Sequence, residues 1–166
     1  MTFKESILSK LFVAAKEYEK LLGFSFVFKS NHFIYRSEYL IKFYKDNFLH
    51  LTGVETRLNA KEFYDKCVSE DLKLEDFECE KTNELKGKVR EKLKNLSNLG
   101  TFFNRNLIFQ EMLEKNRVKC KIASSDGKYT LGFVQTSRFI HVPLTLLNKN
   151  QIDLSLAITE YEIIKK

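Results

Sequence analysis

The chain has 166 residues, 43% of them hydrophobic and 13% aromatic, with 28 Lys and Arg against 22 Asp and Glu for a net charge of +6. That length holds one well-packed core and is short for two full domains, and an apolar content led by 15 Phe without any Trp excludes a disordered chain. No apolar run approaches the roughly 20 residues that span a bilayer, the charged first residues lack the apolar core of a secretory signal, and Cys67, Cys79 and Cys120 fall outside zinc-ligand spacing, so we expect one cytoplasmic domain over residues 1–166 with reduced thiols, no membrane segment, no metal and no cofactor.

Thr2-x-x-Glu5 is a capping box, and Ile7, Leu8, Leu11, Phe12, Ala15, Tyr18 and Leu22 follow at helical spacing until Gly23 offers a C-cap. Phe24, Phe26 and Phe28 alternate with Ser25 and Val27, and Phe33-Ile34-Tyr35 after a polar break predicts a short hairpin. Tyr39–Tyr44 fits either a strand or a helix. Asp46 or Asn47 can cap a short helix through His50, ended by Gly53, and Asn59-x-x-Glu62 starts another with Phe63, Tyr64, Cys67 and Val68 on its buried side. The stretch from Leu72 to Asn83 reads as a flexible join. From about Asn83 to Asn98, Leu85, Val89, Leu93 and Leu96 form an apolar stripe flanked by Lys86, Lys88, Arg90, Lys92 and Lys94. These cations, with Lys81 before them and Lys119 and Lys121 after, either keep a core-facing helix soluble or bind a polyanion.

Phe102–Leu113 predicts a further helix or turn-helix, after which the period changes to two. Val118–Ser124 and Tyr129–Thr136 flank Asp126-Gly127, a dipeptide favoured at the tip of two-residue hairpins. With those two residues at the tip, Ala123 faces Thr130, Ile122 faces Leu131 and Cys120 faces Phe133. Phe139–Val142 predicts a third strand stopped by Pro143, and the alternation of Ile152, Leu154, Leu156 and Ile158 a fourth. The expected fold is therefore α+β, with N-terminal and central helices packed on a C-terminal antiparallel sheet of about four strands, and a helical insert around 60–98.

A nuclease that turns the 2′-hydroxyl of RNA into its own nucleophile needs a proton acceptor, a proton donor, and cations or hydroxyls for the charge of the phosphorane. His suits the proton transfers, and the chain has His32, His50 and His141. His32 lies in an expected turn. His141 alternates with Phe139 on a strand, as a half-buried packing residue or a member of a site. His50 sits within Phe48-Leu49-His50-Leu51-Thr52-Gly53, where a core histidine and a catalytic one are equally compatible with the residues.

Phe48-Leu49-His50-Leu51-Thr52-Gly53-Val54, the later Leu131-Gly132-Phe133, and Phe139-Ile140-His141-Val142-Pro143-Leu144-Thr145-Leu146-Leu147 together resemble a phage-associated branch of the barnase-EndoU-colicin-RelE-like nuclease superfamily. The resemblance covers about a third of the chain. It implies two helices packed on a four-stranded antiparallel sheet and a metal-independent endoribonuclease of the kind found in toxins, phage and mobile elements. Within it His50 takes the acid/base position, and strand position together with the need for phosphate-binding groups adds Thr130, Arg138 and Thr145 to the expected site. The expected partner is RNA or a nucleoprotein complex, with an antitoxin or a defence effector as the protein partner. The competing reading is a non-catalytic phage or mobile-element protein that inhibits a bacterial defence nucleoprotein complex through its basic surface.

Overall fold

The computed structural model describes residues 1–79 and 82–166, so Glu80 and Lys81, within the expected join, lie outside the described residues. In chain order the elements are α1 (Phe3–Glu19), β1 (Ser25–Lys29), β2 (Glu38–Lys42), α2 (Lys45–Thr52), β3 (Glu55–Thr56), α3 (Ala60–Val68), β4 (Phe77–Glu78), α4 (Asn83–Leu96), β5 (Ile108–Lys115), β6 (Val118–Ser125), β7 (Tyr129–Gln135), β8 (Ile140–Asn148) and β9 (Glu162–Lys165). They divide into a helical unit, residues 1–22 and 44–100, and a sheet unit, residues 23–43 and 101–166.

Two helices of this unit form where their capping signals predict, whereas α2 is capped at Tyr44 and not at Asp46 or Asn47, Asn47 Oδ1 accepting from the Tyr44 N–H at 3.2 Å. Thr2 Oγ1 accepts from the Glu5 N–H at 3.1 Å and Asn59 Oδ1 from the Glu62 N–H at 2.8 Å, which satisfies donors that a helix start leaves open. The apolar side of α1 buries Ile7, Leu11, Ala14, Ala15 and Tyr18. Tyr18, Phe48 and Tyr64 meet edge-on or tilted with ring centroids 5.1–5.6 Å apart, favourable geometries for aromatic pairs. Their hydroxyls stay paired, Tyr18 donating to the Tyr44 carbonyl at 2.7 Å and Tyr64 to that of Ala15 at 3.0 Å. Val89, Leu93 and Leu96 of α4 are buried as the stripe predicts, whereas Leu85 at its start is exposed.

The sheet unit departs further from expectation. Its sheet is mixed and seven-stranded, in the order β5-β6-β7-β8-β2-β1-β9, and not a C-terminal antiparallel sheet of about four strands. Two of the extra strands, β1 and β2, come from residues 25–42, and β2 pairs parallel with β8 through Leu40↔Ile140 and Ile41↔His141. Phe33-Ile34-Tyr35, expected as the return strand of a hairpin, lies in the β1–β2 loop. The expected helix over Phe102–Leu113 is a 3-10 segment, Leu99–Asn104, followed by β5.

Pro143 does not end its strand. β8 runs through it because the register shifts there, with Gly132 opposite Thr145 and Phe133 opposite Pro143, and a bulge tolerates a missing N–H. Residues 152–158 do not form the fourth strand. Asp153 Oδ1 accepts from the Ser155 N–H at 2.9 Å and from its hydroxyl at 2.7 Å, a local turn that leaves Leu154 and Leu156 exposed.

The sheet also curls. Phe109 at one edge and Ile158, just before the other, exchange backbone hydrogen bonds of 3.0 and 2.8 Å. The concave side is filled by Phe28, Phe109 and Phe133, with Phe28 4.9 Å from Phe109 and 5.7 Å from Phe133, as interior positions of small closed sheets are. On the opposite side Gly132 allows close strand packing: a Cβ there would overlap Cys120 Sγ and press on Thr145 Cγ2 at 3.1 Å.

Candidate active site

One end of the curled sheet collects polar groups on its inner side. Strand alternation aims Tyr39 and Ile41 of β2, Phe109 and Glu111 of β5, and His141 of β8 inward. His141 has no accessible surface, and neither ring nitrogen has a hydrogen-bond partner. Tyr39 lies edge-on to it, with ring centroids 5.2 Å apart. The Tyr39 hydroxyl donates to the Glu111 carboxylate, which also accepts from the backbone N–H of Ile34 at 2.6 Å and of Tyr35 at 3.1 Å. Glu111 therefore ties the β1–β2 loop to the tyrosine that packs on the imidazole.

The electrostatics follow from burial and from nearby cations. Burial, then the positive charges of Arg36 and Lys121, push the His141 imidazole down to about 4, against backbone groups of Leu40 and Phe139 that favour its proton. The ring is thus neutral at physiological pH, and it is a weaker proton acceptor than a free imidazole until an anion beside it favours the charged form. Burial first, then the hydrogen bond to Glu111, raises the Tyr39 hydroxyl above its ordinary range. Arg36 Nη2 and Gln135 Nε2 each donate to the Arg138 carbonyl at 3.1 Å, which draws the β1–β2 and β7–β8 loops together. A buried imidazole with both nitrogens unsatisfied costs stability, and such costs concentrate at functional sites.

The residues singled out from sequence fall into two groups. His50 belongs to the helical unit, exposed in the last turn of α2, between buried Phe48 and Leu51 and ahead of Gly53 at φ 78°. Thr130, Arg138 and Thr145 belong to the sheet unit. Arg138 is exposed beside the polar end. Thr130 is fully buried, donating to the Lys149 carbonyl at 2.9 Å and accepting from the Gln151 N–H at 2.9 Å, so its hydroxyl staples a loop and is not presented to a ligand. Thr145 is also buried, with its methyl against Gly132.

Lys119 and Lys121 are exposed on β6. On α4, Lys86 and Arg90 lie over the Phe3 ring at 5.4 and 5.2 Å. Lys88 pairs with Glu84 at 3.5 Å, Lys94 is exposed, and Lys92 is largely withdrawn from solvent, its ammonium pulled down by burial and by Lys88. Among the described residues no three His, Cys, Asp or Glu gather where they would hold a metal ion, and no helix is long and apolar enough to cross a membrane.

The family model PBECR4, described as phage-Barnase-EndoU-ColicinE5/D-RelE like nuclease4, matches residues 10–165. The chain belongs to this nuclease family. No curated protein and no solved structure gave a significant match. Tyr39, Glu111 and Arg36 do not stand out in the sequence as members of a site. Glu111 left a signal, since it follows Phe109 at strand spacing and so stands as a carboxylate on an otherwise apolar side. Tyr39 and Arg36 left none, because only the pairing of β2 with β8 brings them to His141.

Proposed function

We propose that this PBECR4 nuclease is a metal-independent endoribonuclease that cleaves RNA by transesterification at the 2′-hydroxyl, with His141 as the group that accepts the 2′ proton. The observation that carries this reading is the sealed, unpartnered imidazole, neutral at physiological pH and edge-on to a Tyr39 held by Glu111. A neutral imidazole takes the proton as the 2′-oxygen bonds to phosphorus, the bond from phosphorus to the 5′-oxygen breaks, and the leaving 5′-oxygen takes a proton from solvent water. Arg36 and Arg138 offer guanidinium groups suited to the oxygens of the developing phosphorane. Because Glu111 pins the backbone at Ile34 and Tyr35, the β1–β2 loop has to shift before a phosphate reaches His141.

His50 remains the assignment that the sequence resemblance implies. Purified protein incubated with an RNA panel in excess chelator is expected to leave 2′,3′-cyclic phosphate and 5′-hydroxyl ends, and a substrate carrying 2′-deoxynucleotides throughout is expected to stay whole. Intact RNA, or equal cleavage of the deoxy substrate, contradicts the proposal.

A further inference from the structure

Three large apolar side chains stand in solvent around the polar end of the sheet unit. Ile34 is 85% exposed, and Tyr35 and Phe139 are each 62% exposed. Isolated exposed apolar residues are ordinary, but these sit on two loops that are fastened to each other and to the site. The Tyr35 N–H is held by Glu111 and the Arg138 carbonyl by Arg36. Phe139 is two residues from His141 on the same stretch of chain, and the Arg138 guanidinium lies 5.2 Å from its ring. The Phe139 ring therefore lies beside a cation, and the backbone that carries Tyr35 is fastened to Glu111.

Resting on the reading above, we propose that Tyr35 and Phe139 form a base-stacking subsite that selects unpaired nucleotides with little regard to base identity. Every base presents a π-face, so aromatic platforms of this kind tolerate sequence, and neighbouring cations bind the phosphates between the bases. A base paired and stacked within a duplex has no free face for them. The charge on these loops, from Arg36 and Arg138, favours a polyanion over an apolar protein segment as the occupant.

The test uses the full wild-type chain and an oligoribonucleotide methylated at every 2′-oxygen, which the 2′-hydroxyl route cannot cut, with 2-aminopurine as the reporter base. Unpaired reporter is expected to lose fluorescence on binding, and the same oligonucleotide in a duplex to bind more weakly without that change. Tyr35→Ala and Phe139→Ala are each expected to weaken binding by roughly 5- to 100-fold, the range for loss of one stacked base, whereas Tyr35→Phe and Phe139→Tyr restore it. Unchanged affinity of both alanine variants, equal binding of duplex, or no binding at all overturns the subsite. Cleavage of natural RNA that survives those outcomes leaves the proposed chemistry standing, and stacking without cleavage removes the chemistry while the subsite stands.

Discussion

Replacing His141 by Gln is expected to lower the single-turnover cleavage rate by about 100- to 10,000-fold, the usual contribution of one positioned acid–base group, while KM for RNA changes by less than a few-fold. Gln is close in volume and polar, but it cannot accept a proton near neutral pH. His50→Ala serves as the matched comparison. If cleavage runs through the sheet unit, that variant keeps a rate within a few-fold of wild type. Rapid-quench kinetics on one RNA with all three proteins decides between them, and a large loss in His50→Ala with none in His141→Gln assigns the chemistry to α2.

The same buried ring is expected to make the fold acid-sensitive. The folded His141 titrates at about 4, below the ~6.5 of an unfolded chain. Between those values the unfolded state binds more protons, so stability rises with pH across that window and is lost as pH falls through it. A gap of about 2.5 units corresponds to about 3 kcal/mol, a large share of the margin of a small protein. His141→Leu removes both the titration and the unsatisfied nitrogens. Urea unfolding at pH 7.5 and at pH 4 is expected to show the variant gaining about 3 kcal/mol on wild type over that range, and parallel pH profiles contradict the buried neutral ring.

Where sequence and structure part, the cause is contacts between distant segments. The β6–β7 hairpin was legible from Asp126-Gly127, yet the observed register pairs Ser125 with Thr130, Ser124 with Leu131 and Ile122 with Phe133. Asp126 spends its carboxylate on the N–H groups of Lys128 and Tyr129, at 2.8 and 3.1 Å, so the tip moves to Gly127-Lys128. The two registers differ by two residues and keep Ile122, Leu131 and Phe133 on one face, which is why alternation did not separate them, whereas Cys120, expected opposite Phe133, packs on the Gly132 side. The inward alternation of Phe26 and Phe28 was legible, but their partner strand lies beyond a loop and not at Phe33–Tyr35. The site depended most on what sequence hides. Phe139 and His141 alternate visibly, and a packing histidine was a fair reading of them. The missing information is that the ring is fully buried with no well-formed hydrogen bond at either nitrogen, edge-on to a tyrosine from another strand.

The central claim is that the imidazole in the sheet unit meets the phosphate. Nitrogen-15 NMR of the three histidine rings, titrated with a 3′-nucleotide at neutral pH, addresses it most directly. His141 is expected to start as the neutral form and to shift strongly toward imidazolium as the anion binds, with the resonances of His32 and His50 little changed. A nucleotide that moves His50 and leaves His141 where it was would contradict the account.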